Sequence, residues 1–74
     1  GDHSVLIYPN PTENSLTVEG MAYDNYQVIG MDGKVLESNQ RKEVLDLSKL
    51  KAGQYVLQLM KGVELIHTQT IIKR

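Results

Sequence analysis

Cysteine, tryptophan and phenylalanine are missing from this chain, and proline occurs twice. Without cysteine, neither a disulfide framework nor a thiolate zinc site can supplement the core, so the fold must rest on packing and backbone pairing. A cysteine-free domain persists equally in cytosol, periplasm or medium, so this absence identifies no compartment. An excess of either charge is also lacking. A formal net charge of -1 and a pI near 6.1 offer no basic footprint for nucleic acid, whose phosphates demand clustered Lys and Arg. No apolar run approaches the roughly 18 residues needed to cross a bilayer; Val5 to Tyr8 is typical. Membrane insertion is therefore not expected. No signal peptide opens the chain, which reads as a piece of a larger protein, and Gly1 to Ser4 carry no pattern and read as a linker or cloning remnant. His3 is left out of functional reasoning on that ground.

Sustained helical periodicity is the last absence. What is present instead is a series of short runs rich in Val, Ile, Leu and Tyr between Gly, Pro, Asn and Asp punctuation, the pattern of many short strands. Seven are expected: Val5 to Tyr8, Ser15 to Glu19, Tyr26 to Met31, Lys34 to Ser38, Glu43 to Leu47, Gln54 to Met60 and Val63 to Lys73. Leu16 and Val18 alternate with Thr17 and Glu19, as in a strand with one wet face. Tyr55, Leu57 and Leu59 share the face expected to be central to the core. Val63 and Leu65 share a parity, whereas Ile71 and Ile72 are adjacent, so a bulge or an end of pairing is expected between them.

Asp32-Gly33 and Lys61-Gly62 read as tight hairpins, the former as a type I′ turn with glycine at positive φ. Pro9 and Pro11 cannot donate ladder hydrogen bonds and should end the first strand. Ser48 to Lys51 reads as one helical turn with Leu50 plugging the core, and Gly53 permits the return to strand. Seventy-four residues, 41% apolar and 23% charged, make one domain that buries only about 60% of its unfolded surface. Its stability should amount to about a few kcal/mol. So many short strands enclose a core most economically as two packed antiparallel sheets. The expected fold class is all-β, a seven-stranded antiparallel immunoglobulin-like β-sandwich.

Catalytic chemistry needs convergent polar groups, and the sequence offers none. His67, between Ile66 and Thr68, reads as a surface or edge residue. Asp24, Asp32 and Asp46 lack the alternating ligand spacing of a calcium loop and read as turn and surface carboxylates. No enzyme, metal or cofactor is expected. A small carbohydrate-binding or adhesive module is the competing class. Sugar platforms commonly use exposed aromatic rings, and only four tyrosines are available here. Tyr8 and Tyr55 read as structural. Tyr23 and Tyr26 lie around a loop, where packing over an open end of the sandwich is favoured over stacking on a ligand.

Tyr8-Pro9-Asn10-Pro11-Thr12, followed by Leu16-Thr17-Val18-Glu19, resembles the opening motif of the C-terminal sorting domains of the type IX secretion system. The resemblance continues in order through Gly33-Lys34-Val35-Leu36, then Leu45-Asp46-Leu47-Ser48 with Leu50, Gly53 and Tyr55, and ends at Ile71-Ile72-Lys73-Arg74. Each motif alone is weak, but four in order over nearly the whole chain are specific. Gly30 departs from the pattern, because the family often has an aspartate three positions before the hairpin glycine.

The resemblance implies a domain of residues 5 to 74 that follows an N-terminal cargo and addresses it for export. The cargo would reach the periplasm by its own signal and pass the outer-membrane translocon. A cell-surface sorting peptidase would then usually remove the domain and attach the cargo to an anionic lipopolysaccharide. The cargo would end at the cell surface or secreted. The residues implied in recognition are Pro9, Asn10, Pro11, Gly33, Lys34, Gly53, Tyr55, Lys73 and Arg74. For Pro9, Pro11, Gly33, Gly53 and Tyr55 a structural role is favoured over direct contact. Lys34, Lys73 and Arg74 are expected to face solvent.

Overall fold

A computed structural model describes residues 5–74; the linker or remnant expected over residues 1–4 lies outside them. Seven strands follow in order: β1 (Leu6–Tyr8), β2 (Ser15–Glu19), β3 (Asn25–Gly30), β4 (Val35–Gln40), β5 (Val44–Asp46), β6 (Gly53–Lys61) and β7 (Glu64–Lys73). They form two antiparallel sheets, one ordered β1-β2-β5 and the other β4-β3-β6-β7. The alternation in β2 sends Leu16 and Val18 inward, opposite Leu45 of β5 and Ile7 of β1. From the other sheet come Tyr26 and Val28, Leu57 and Leu59, and Ile71. Both inner faces thus supply one hydrophobic cluster, joined by Tyr23 and Leu47 from the loops. Each fully buried Leu contributes about 1.5 to 3 kcal/mol relative to exposure.

Pro9 ends β1, as expected of a residue without an N–H. The Tyr8-Pro9 and Asn10-Pro11 peptide bonds are both cis. The bulge expected in the last strand falls at Ile66: Leu59 pairs with His67 but Met60 with Leu65. That one-residue slip lets Ile66 pack against the core while Ile71, on the other side of the bulge, is fully buried.

Both hairpins differ from the expected turns. Gly33 has φ +88°, but no non-glycine residue among those described has positive φ, so Asp32-Gly33 is not a type I′ pair. Instead Gly33 N–H bonds Gly30 C=O (2.9 Å) and Gly30 N–H bonds Lys34 C=O (2.8 Å), enclosing Met31-Asp32-Gly33 as a three-residue loop. This is the turn with glycine in the left-handed bulge position, which spares Asp32 an unfavourable φ. The second hairpin is centred one residue later than Lys61-Gly62. Lys61 pairs with Glu64, leaving Gly62 (φ +62°) and Val63 as the loop, with glycine first as a type II′ turn requires. Ser48 to Leu50 is a single hydrogen-bonded turn rather than helix, closed by Leu50 N–H to Leu47 C=O at 3.0 Å. Leu50 is half-buried against the core. The fifth strand is shorter than expected, although its pairing with the β2 side carries on by one in-register bond past each end, Val18 N–H to Glu43 C=O (2.9 Å) and Leu47 N–H to Asn14 C=O (2.7 Å).

Candidate functional site

The register gathers the residues implied in recognition at one end of the four-stranded sheet. Tyr55 of β6 pairs with Gly30 at the end of β3 and with Ile71 of β7, and Gly53 pairs with Lys73. The Gly33-Lys34 hairpin follows directly on Gly30. The segment Pro9-Asn10-Pro11-Thr12 reaches the same end from the other sheet and lies along the outer edge of β7. Leu6, paired with Glu19, and the Gly62-Val63 hairpin mark the opposite end.

Contact between the first and last motifs is made chiefly by Asn10 and Thr12. Prolines on both sides of Asn10 offer no donors, so the Asn10 carboxamide takes the place of a peptide group. Its Oδ1 accepts Ile72 N–H (3.0 Å) and its Nδ2 donates to Thr70 C=O (3.1 Å). Thr12 N–H then bonds Ile72 C=O and Arg74 N–H bonds Thr12 C=O, both at 2.8 Å, a parallel bridge centred on Lys73. Four outward groups of β7 are thereby satisfied. Thr12 is itself 1% exposed, and its hydroxyl donates to Ser15 C=O.

Lys73 does not face solvent as expected. It shares the inner parity of Ile71, lies beneath the Thr12 bridge and is only 8% exposed, with Nζ donating to Arg74 C=O at 3.3 Å. Lys34 and Arg74 are exposed, as expected. Tyr55 is half-buried rather than central in the core; its ring packs on the cluster while its hydroxyl donates to Lys51 C=O at 2.5 Å. The inner face of β6 is carried by Leu57 and Leu59. Gly53 has φ +155° and open space around it, so backbone conformation rather than crowding favours glycine there.

Gly30 has a local explanation. A Cβ there would stand 2.9 Å from Asp32 Oδ1, the oxygen that accepts Lys34 N–H (3.1 Å). The carboxylate that braces this turn comes from within the loop, and glycine leaves room for it. On the adjoining loop, Asp46 Oδ1 accepts Ser48 N–H at 2.9 Å. That hydrogen bond, with a further one from the Ser48 side chain, holds the Asp46 carboxyl below its ordinary range. Asp32, Asp46 and Thr12 were not among the expected site residues. The turn-forming Asp-x-Ser and Asp-x-Lys spacings are the signal that could have marked the first two.

Of the remaining tyrosines, two lie in the core. Tyr26 is 1% and Tyr23 4% exposed. The Tyr23 hydroxyl donates to Lys42 C=O and accepts Lys42 N–H at 3.3 Å, with Arg41 over the ring face, 5.6 Å from its centroid. Burial raises both phenolic pKa values. Tyr8, expected to be structural, is 44% exposed on the outer face of β1, and its hydroxyl bonds Glu19 at 2.5 Å. His67 is half-buried on the inner side of β7 with Gln69 Oε1 3.0 Å from Nε2. Among the described residues no group of three or more His, Cys, Asp or Glu is placed to hold a metal, and no helix is long and apolar enough to cross a membrane. Grooves of about 380 and 620 Å³ flank Gly20-Met21-Ala22 and include none of the residues implied in recognition.

A family model described as the secretion system C-terminal sorting domain matches residues 6–74, from the first residue of β1 to the terminal Arg74. The chain belongs to that family. No curated protein and no solved structure matches it. The sorting domain is therefore a C-terminal signal of type IX secretion, which exports an attached N-terminal cargo to the cell surface or medium by interaction with the type IX machinery.

Proposed function

We propose that the outer-membrane translocon reads this sorting domain, arriving from the periplasm, at the end of the sandwich where the motifs converge. The observation that carries this reading is the direct bonding of Asn10 and Thr12 to Thr70, Ile72 and Arg74, which makes motifs about 60 residues apart one surface. Exposed Lys34 and Arg74 give that surface cations available for contact, whereas Pro9, Pro11, Gly33, Gly53 and Tyr55 hold its shape. Lys73 acts from below, as a buried stem that fixes the end of β7. The cargo side is at the other end, where β1 begins. In this arrangement the translocon can hold the signal end while a cell-surface sorting peptidase cuts the linker before β1 and transfers the cargo to an anionic lipopolysaccharide. The strand order β1-β2-β5 facing β4-β3-β6-β7 supports an immunoglobulin-like sandwich.

The domain carries no chemistry of its own in this reading. A carbohydrate-binding or adhesive role would want exposed rings, and Tyr23 and Tyr26 are in the core. The test is a reporter with an N-terminal export signal fused before residue 5, expressed in a host with the type IX system and in the same host lacking its translocon. Secretion only in the first supports the proposal. Periplasmic retention in both contradicts it.

A further inference from the structure

Terminal residues of a β-sheet edge ordinarily fray, because their outward N–H and C=O groups bond only water. Here four such groups, Thr70 C=O, Ile72 N–H, Ile72 C=O and Arg74 N–H, are held by Asn10 and Thr12. Side-chain geometry divides the task. The Asn10 carboxamide imitates a strand peptide across Thr70 and Ile72, while Thr12, anchored through its hydroxyl to Ser15 C=O, supplies a real peptide group two residues further on. Ile72 is 39% exposed between them, an apolar side chain presented rather than buried.

We infer that Asn10 and Thr12 are positioning residues: they clamp the end of β7 so that the export machinery meets an ordered strand rather than a loose tail. The inference rests on the recognition surface proposed above and adds its physical requirement. The signal is a composite of the first and last motifs, and Asn10 acts through Ile72 and Arg74 rather than by its own contact with the translocon. Ordering the strand beforehand also removes an entropic cost from binding.

Asn10→Ala in the reporter fusion and in the 74-residue chain separates the possibilities. Residue-resolved hydrogen exchange should be faster at the Ile72 and Arg74 amides by about five- to tenfold, the loss of one hydrogen bond's worth of protection. Exchange at Leu57 and Leu59, in the core, should be unchanged, and the reporter should accumulate in the periplasm. Asn10→Asp keeps the acceptor for Ile72 N–H but loses the donor to Thr70, so it should fall between parent and Ala in both readouts. It serves as the second variant if Ala does not fold. Unchanged exchange at Ile72 and Arg74 in Asn10→Ala would overturn the clamp. Faster exchange with parent-level secretion would overturn the claim that strand order is what the machinery needs. If the parent fusion were not secreted at all, the recognition surface would fall, while the exchange data would still decide whether the clamp exists.

Discussion

Removing Lys73 and Arg74 should destabilise the sorting domain, although sequence alone makes two terminal basic residues look dispensable. The truncation deletes the Arg74 N–H bond to Thr12 C=O and the last rung of the β6–β7 ladder, where Gly53 faces Lys73. Two intramolecular hydrogen bonds are together worth about 1 to 3 kcal/mol. The Lys73 stem, 92% covered, adds about 1 kcal/mol of apolar burial. The sum, about 2 to 4 kcal/mol, is a large fraction of what a domain this small possesses. Urea denaturation followed by circular dichroism measures it. With a slope near 1 kcal/mol per molar for so short a chain, the midpoint should drop by about 2 M or more. Arg74→Ala is the control, because it retains the backbone N–H and removes only an exposed side chain; its midpoint should lie within about 0.5 M of the parent. A truncated chain with the parent midpoint would refute the reasoning, since neither the Thr12 bridge nor the Lys73 stem would then contribute.

Tyr55→Ala should cost about 2 to 3 kcal/mol, less than for a fully buried ring, and Tyr55→Phe about 1 kcal/mol for the lost bond to Lys51; thermal melting ranks the two. Gly33→Val should cost about 1 to 3 kcal/mol, because a β-branched residue resists φ near +88°, while Gly33→Asn should cost less; urea midpoints decide. Asp46 has its folded pKa depressed by Ser48, so its stabilising effect is present above the unfolded value near 3.9 and is lost as pH falls through the folded one. The stability gap between the parent and Asp46→Asn should accordingly narrow below about pH 4, and a gap that stayed constant to pH 2 would contradict the assignment.

Much of this arrangement was legible in the chain because period-two alternation and turn residues are local signals. Ser15 to Glu19 is the clearest case: its inward Leu16 and Val18 are buried in the structure. The turn residues locate the first hairpin, but its type I′ reading fails, since one residue of register decides between Asp32-Gly33 and Met31-Asp32-Gly33, and only the closing Gly30–Lys34 pair settles it. The burial of Lys73 escapes a local reading for a different reason. Its charge argues for solvent, but parity with Ile71 and the cover of Thr12 depend on a contact across about 60 residues that no window along the chain contains. Tyr55 fell between the two cases: its face was right, but its position at the end of the sheet leaves the hydroxyl beside Lys51. The Thr12 bridge to Lys73 is likewise hidden from any local reading, because it depends on where β7 ends.

The central question is whether the exposed cations of the converged end are read during export. Lys34→Glu with Arg74→Glu leaves every backbone bond of the clamp in place and changes only solvated side chains, so folding should be nearly unaffected, within about 1 kcal/mol. The measurement is the partition of the fused reporter between medium, cell surface and periplasm in a host with the type IX system, with circular dichroism of the same variant alongside. The expected result is a folded domain whose cargo remains in the periplasm. A folded variant that delivers its cargo as efficiently as the parent would contradict it.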